Sequence, residues 1–168
     1  PARPLITRLL GGVKGLVSPP ELPSTDPGYQ VLGFVGVWFL TDEAHITAIA
    51  VKATWRGEGL GELLLIGSIR LAMAQGSRVV TLEVRITNFV AHALYEKYGF
   101  HRVGVRKGYY VDNDEDALIM PPSAINTPEY RDLFQGLVRA HEERRGQLTQ
   151  DFERTLRHVA DDTGIDHV

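Results

Sequence analysis

The sequence predicts an α/β fold, a sheet of mixed strand direction flanked by helices, and three observations carry that expectation. Between Tyr29 and Met120 the texture runs strand, strand, helix, strand, helix, strand, strand. Helix-period stretches set between strands act as crossovers, which join parallel neighbours. The chain has 168 residues, 43% of them hydrophobic and 23% charged, enough for one domain of ordinary size with a sizeable core.

Residues 1–28 read as a separate, irregular segment. PARPLITRLLGGVKGL mixes basic residues into a short apolar stretch but lacks the long apolar run and cleavage site of a secretory leader. Arg3–Leu10 suits at most a short strand or a helical turn. SPPELPSTDPG (18–28) holds four prolines and reads as a connector.

The core spans 29–121. VLGFVGVWFL (31–40) is β-branched and aromatic, a strand, and TDE (41–43) turns it into AHITAIAV (44–51), its antiparallel hairpin partner. A helix starts near Leu60. Leu60, Leu64, Gly67, Leu71 and Ala74 recur at helical spacing, Leu63 widens the stripe, and Gly76 ends it. RVVTLEVR (78–85) alternates as a strand does, with Val80, Leu82 and Val84 on one face and Val79, Thr81, Glu83 and Arg85 on the other. Asn88 can cap FVAHALYEKY (89–98), which stops at Gly99. FHRVGVRKGYYV (100–111) reads as a long strand, DNDED (112–116) as a solvated loop and ALIM (117–120) as a last short strand. Residues 122–168 form a helical extension, since 128–160 is rich in Glu, Arg, Gln and Leu and predicts one or two solvated amphipathic helices. This extension covers the open side of the sheet, mediates a homodimer or stays in solvent. Packing or self-association is expected.

Composition narrows the function classes. A net charge of −3 gives no general attraction to nucleic acid or anionic membranes. No apolar run approaches the ~20 residues that span a bilayer. The chain has no cysteine, which removes disulfides, thiolate metal sites and a cysteine nucleophile and fits a reducing, cytoplasmic setting. No metal is expected.

RGEGLG (56–61) lies between the strand that ends near Val51 and the helix that starts near Leu60. The amides of a helix's first turn have no internal partner and project where the macrodipole is positive, so they make an anion site. Gly57, Gly59 and Gly61 leave the backbone bare, and Arg56 can add a charge-assisted bond. Taken by itself the hexapeptide is equally a glycine-rich turn with no ligand. It is not a P-loop, because G-x-x-x-x-G-K-S/T is absent. It is also one residue short of the dinucleotide fingerprint and lacks that motif's ribose-binding acid.

R-x-x-G-x-G between these two elements resembles the pyrophosphate-binding motif of the GNAT superfamily, the acyl-coenzyme A-dependent N-acyltransferases. ITAIAV, RGEGLGELLL, TLEVRITN, ALYEKYGF and the YY followed by EDALIM look like that family's blocks, in its order and spacing, from about Val31 to Met120. The likeness is nearest to the RimI-type enzymes, which acetylate the N-terminal α-amine of a ribosomal protein. The resemblance therefore implies acetyl-coenzyme A as cosubstrate and the N-terminus of an acceptor protein as partner. It implies that Arg56, Gly57, Glu58, Gly59, Leu60 and Gly61 cradle the pyrophosphate. It implies that the main chain of Ile49, Ala50 and Val51 is a splayed strand edge along the acetyl-pantetheine arm, offering unpaired N–H and C=O groups. Asn88 would contact coenzyme A as well as cap its helix. Glu83 would be the general base, directly or through water, and Tyr95 the general acid.

The chemistry asks for such groups. The attacking amine must lose a proton, the thioester carbonyl must be polarised, and the leaving thiolate must gain a proton. Without cysteine, direct attack in a ternary complex is favoured over an acyl-enzyme. Glu83 has a second reading, a structural strand carboxylate paired with Arg85 on the same face. Tyr95 recurs with Ala91 and Tyr98 at i, i+4 and i+7, so it also packs; a ring can pack while its hydroxyl faces a site. The acceptor is a protein N-terminus or, alternatively, a lysine side chain or a small amine. A non-catalytic module that binds coenzyme A or a partner would keep RGEGLG without needing Glu83 or Tyr95.

Other signals weigh less. DEAH (42–45) copies a helicase signature without a P-loop, though Glu43 and His45 can border the acceptor site. DNDED opens like a calcium loop but lacks its glycine and final glutamate. Arg102, Arg106 and Lys107 form a basic edge or a solvated strand face, and Tyr109 and Tyr110 line an acceptor groove or pack on each other. The family carries a strand and one or two helices ahead of the strand that begins near Val31. Residues 1–28 do not fit two helices, so those pieces are absent from this chain or replaced.

Overall fold

The apolar run after residue 31 forms β1 (Gly33–Leu40), and Thr41–Asp42 turn it back into β2 (Glu43–Val51) as an antiparallel hairpin. A 3-10 turn (Ala53–Trp55) leads through the glycine loop into α1 (Leu60–Ala74). The chain continues through β3 (Val79–Arg85), α2 (Phe89–Lys97), β4 (Gly104–Tyr110) and β5 (Glu115–Ile119), and then α3 (Pro128–Arg145). This computed structural model describes residues 31–121 and 124–146; the expectations for 1–28 and for residues after Gly146 lie outside them.

Among the described residues the five strands lie in the order β1-β2-β3-β5-β4. The β2–β3 pair is parallel and is joined by the α1 crossover; the other neighbours run antiparallel. The mixed sheet read from the element order is therefore present. β3 alternates as its sequence does, with Val80, Leu82 and Val84 buried and the intervening residues half-buried. Those three valine and leucine side chains join Ile66 and Ile69 of α1 and Tyr95 of α2 in one apolar cluster.

Three expectations change. The stripe on α1 is wider than the heptad-like reading: Leu65, Ile66, Ser68, Ile69 and Ala72 are buried, whereas Leu60, Leu64 and Leu71 are half-buried and Ala74 is exposed. The reason is that α1 is covered twice, by the β1–β2 hairpin and by α3, so a one-sided stripe does not describe it. The strand after Gly99 starts later than Phe100. That residue's amide instead closes α2 on the Tyr95 carbonyl, and its ring enters the core. The final strand starts earlier, at Glu115, because this end of the DNDED turn is drawn into pairing with Tyr110.

The described part of the helical extension packs on its own chain. Thr127 caps α3 by accepting from the Tyr130 amide. Tyr130, Phe134, Val138 and His141 form its buried stripe. Tyr130 donates to the Tyr98 carbonyl at 3.0 Å and Phe134 sets its ring edge-on to Tyr98, which anchors the start of α3 at the end of α2. No helix among the described residues is long and apolar enough to cross a membrane.

Candidate active site

The site begins with a fork in the sheet. β2 and β3 pair only from Glu43–Val79 to Ile46–Leu82. At Thr47 the β1–β2 register slips, as Gly36 faces Ala48 and Val37 faces Ile46, so Thr47 is an extra residue. A bulge of this kind bends the strand that carries it. β2 accordingly leaves β3 from Thr47 onward, while β3 continues with β5 through Glu83, Val84 and Arg85. Residues 47–51, including Ile49, Ala50 and Val51, keep β1 on one side and have no ladder partner on the other among the described residues. The Lys52 amide binds the Leu32 carbonyl and the Ala50 carbonyl lies against Gly33, so by alternation Ala50 turns its main-chain groups to β1, whereas those of Ile49 and Val51 face the fork unpaired.

Glu83 is the first β3 residue past that fork, with a side chain 7% exposed. It does not pair with Arg85. His45 Nε2 lies 3.1 Å from its Oε2, and Arg106 lies 3.0 Å from its Oε1. The network extends backwards: His45 Nδ1 is 2.9 Å from Thr81 Oγ1, and the Thr81 hydroxyl donates to Glu43. Because that hydroxyl proton is spent on Glu43, Thr81 Oγ1 accepts, and His45 Nδ1 must carry a hydrogen. A hydrogen bond between Nε2 and Glu83 then requires one further proton shared by the pair. The hydrogen bond to Glu83 pushes the His45 pKa above its ordinary value, and the reciprocal bond holds the Glu83 carboxyl below its own. Each shift favours the imidazolium–carboxylate form of the pair.

Arg85 is committed elsewhere, to Asp112 at 2.8 Å and Glu115 at 3.0 Å, with its guanidinium 3.9 Å over the Tyr110 ring. Held by Thr87, Asn113 and Arg85, the Glu115 carboxyl falls to about 2. DNDED is therefore a tethered turn, solvated at residues 112–114 as expected. Arg106 is likewise no free basic edge: it binds Glu83 and lies over Tyr109. Arg102 pairs with Glu96. Tyr109 and Tyr110 meet edge to face at 5.1 Å, and Tyr110 reaches the Glu83 carbonyl at 3.5 Å.

Tyr95 is 9% exposed on α2 with its ring near Phe100. Burial, with a smaller contribution from Tyr110, pushes its phenol up to about 12, so it stays protonated and able to donate at neutral pH. Asn88 caps α2, accepting from the Ala91 amide at 3.2 Å with its Oδ1. Its Nδ2 is left to donate elsewhere.

The glycine loop closes the far side. Gly59 is the N-cap of α1, and its carbonyl accepts from Leu63 N. Among the described residues no backbone or side-chain acceptor takes the amides of Gly57 through Glu62. The loop has the unpaired donors of an anion site. Gly57 and Gly59 have φ of +84° and +85°, which L side chains adopt only with strain. Arg56 is exposed at the loop's entrance. Glu62, in the first turn of α1, would oppose an anion, but it is engaged. Burial raises its pKa, yet hydrogen bonds from Lys97 and Tyr98 outweigh that and leave it below the ordinary value.

Residues 25–100 match the model of the Acetyltransferase (GNAT) family. The structure is similar to that of the ribosomal-protein-S18-alanine N-acetyltransferase from Escherichia coli, with a TM-score of 0.51 and 36% identity over 58% of this chain and 64% of that one. Residues 25–100 of the chain are thus GNAT-like. A Bacillus subtilis protein provisionally named as a ribosomal protein bS18-alanine N-acetyltransferase is 47% identical over 91 residues, 54% of this chain and 60% of that protein. A chain in the NatC complex bound to Gag peptide and CoA matches with a TM-score of 0.50 and 26% identity, over 55% of this chain and 60% of that one. The chain spans about three-fifths of the length of the curated relatives it matches.

Glu83 and the β2 edge at Ile49–Val51 thus border one fork, while Arg56–Gly61 lie in the loop after that edge and Asn88 and Tyr95 on α2. His45 enters as more than a neighbour of the acceptor site. Its signal was present once β2 and β3 were taken as parallel neighbours, since register then sets it beside Thr81, two residues from Glu83.

Proposed function

We propose that this chain transfers the acetyl group of acetyl-coenzyme A to a protein N-terminal α-amine, with a ribosomal protein as the acceptor class, in the cytoplasm and by direct attack in a ternary complex. The observation that carries this reading is the fork. A buried carboxylate stands where β2 and β3 part, beside a free strand edge, and the loop that follows that edge carries unpaired amides. A thioester arm fits the edge and a pyrophosphate the loop. The names of the relatives support the acceptor class.

In this reading the free edge of Ile49–Val51 holds the arm through the main chain of Ile49 and Val51, Gly57–Gly61 take the pyrophosphate on their amides with Arg56 adding its guanidinium, and Asn88 donates from Nδ2. Bound acetyl-coenzyme A supplies an activated acyl group. The amine nitrogen bonds to the acyl carbon, the carbon–sulfur bond breaks, and the sulfur takes the proton of Tyr95 Oη. The proton released by the amine goes to Glu83 with His45 behind it. His45, whose pKa is raised from 6.5, can take that proton through Glu83 once the pair has shed the proton it shares. An N-terminal amine, with a pKa near ~8, needs only modest help to deprotonate.

Calorimetric titration with acetyl-coenzyme A, against desulfo-coenzyme A, tests the binding half. Mass-spectrometric detection of acetyl transfer to peptides with free N-termini, beside N-blocked lysine peptides and small amines, tests the acceptor. Transfer to the lysine peptides alone would overturn the α-amine assignment.

A further inference from the structure

α3 returns to the glycine loop across more than 80 positions of sequence, and it does so at the loop's carbonyls. Arg145 Nη2 donates to the Gly57 carbonyl at 2.7 Å, and His141 Nε2 lies 3.2 Å from the Gly59 carbonyl. In a trans peptide the C=O and the following N–H point in opposite directions. A helix that holds the Gly57 and Gly59 carbonyls therefore leaves the Glu58 and Leu60 amides aimed away from itself. α3 stands behind the loop and does not lie over its amides.

The same helix end deals with the loop's negative charge. Glu58 pairs with Arg145 at 3.3 Å, and Glu62 is reached by Arg144 at 3.4 Å as well as by Lys97. Both carboxylates near the unpaired amides are thereby drawn to cations. Left alone, each would repel a bound anion at short range. The packing is close: a Cβ at Gly59 would come within 3.0 Å of Arg145 Nε and 3.2 Å of His141 Nε2.

We propose that α3 buttresses the cofactor loop. Its residues His141 and Arg145 hold the loop carbonyls so that the opposed amides face the pyrophosphate of acetyl-coenzyme A, and Arg145 withdraws Glu58 from it. Both are positioning residues, and the proposal rests on the reading of RGEGLG as the pyrophosphate cradle.

The test uses the full chain and Arg145→Ala, a partly exposed position, with circular dichroism to verify folding. The expected result is a Kd and a KM for acetyl-coenzyme A raised about tenfold, the effect of losing one charge-assisted bond. The kcat at saturating cosubstrate and the KM for acceptor peptide should stay within about twofold. Glu58→Gln added to Arg145→Ala should recover part of the affinity, and Arg145→Lys should lose less than Arg145→Ala. If the wild-type chain binds acetyl-coenzyme A and Arg145→Ala binds it equally well, the buttress is wrong and the cradle stands. A fall in kcat and acceptor affinity in step with cosubstrate affinity would show a general structural role and also overturn the proposal. If the wild-type chain itself gives no binding, the cradle reading fails and the buttress falls with it.

Discussion

Glu83→Gln separates the proton-acceptor role of this residue from its structural one. Gln is nearly isosteric, so its carbonyl can still accept from Arg106, now 3.0 Å from Oε1, and its amide can donate to His45 Nε2, now 3.1 Å from Oε2. With His45 Nδ1–H already turned to Thr81, the neutral tautomer that accepts at Nε2 is the one the network selects. The fold therefore keeps its hydrogen bonds and loses only charge assistance. His45 and Arg106 are partly exposed, so that loss is discounted by solvent to about 1 kcal/mol, or roughly 2–4 °C in Tm. Turnover should fall much further, by about 10²–10⁴-fold, equivalent to roughly 3–5 kcal/mol of barrier. The assay is initial-rate acetylation of an N-terminal peptide at saturating acetyl-coenzyme A, with calorimetric Kd and thermal melting on the same preparations. A turnover within about threefold of wild type would refute Glu83 as part of the proton acceptor. A loss of acetyl-coenzyme A binding together with a large drop in Tm would instead make it a structural carboxylate.

The remaining tests act at other points of the site. The His45–Glu83 pair must shed its shared proton before it can take one, so log kcat should rise with pH through a pKa above 6.5. In His45→Asn this limb should move toward the carboxylate range while the maximum rate falls; an unmoved limb would remove His45 from the relay. The pair's effect on stability has the complementary sign. The raised His45 contributes fully below about 6.5 and loses its contribution as pH rises through its folded value. The lowered Glu83 contributes fully above about 4.5, so both contribute fully between those limits, to be read from melting temperature against pH. Tyr95→Phe should lower kcat about 10–100-fold with little change in Kd or Tm, since among the described residues its hydroxyl makes no hydrogen bond that folding would miss. Gly59→Val should be destabilised by at least ~1–2 kcal/mol from its left-handed φ alone and should bind acetyl-coenzyme A poorly. Gly61→Ala, whose Cβ would meet only Val51 at 3.8 Å, should be nearly neutral in stability by denaturant unfolding.

Much of this fold was legible because its signals are local. The period-2 alternation of β3, the cap at Asn88 and the glycine stops at Gly76 and Gly99 each depend on a few consecutive residues. What was not legible depends on register and return. Nothing in AHITAIAV announces that Thr47 is a bulge, because a bulge exists only against a partner strand. The preference of Glu83 for His45 and Arg106 over Arg85 follows from β2, which lies beside β3, and from β4, which lies across β5 from it. Arg85 sits past the fork, where the β4–β5 turn brings Asp112 and Glu115 to it first. The width of the buried face of α1 was invisible for a similar reason, since its second covering comes from a helix that starts 54 residues after Ala74.

The three glycines of RGEGLG illustrate how one local motif can hold several non-local demands. Gly57 is required by its φ, and a Cβ there would meet nothing within 4 Å. Gly59 is required by its φ and by α3, whose His141 and Arg145 occupy the space its side chain would need. Gly61 is helical, and a Cβ there would make only an ordinary contact with Val51 at 3.8 Å, so the fold itself does not demand glycine at this position. Bare backbone for an approaching anion is thus only part of what the glycines supply. They also let the loop turn its carbonyls to α3 and its amides the other way, which a run of L residues could not do without strain. The charge that this orientation places at the start of α1 is kept positive because Glu58 and Glu62 are drawn aside by cations from α2 and α3. The proposed cradle is therefore built from three parts of the chain, and a loop carrying the same six residues without α2 and α3 would present its carboxylates, as well as its amides, to an approaching anion.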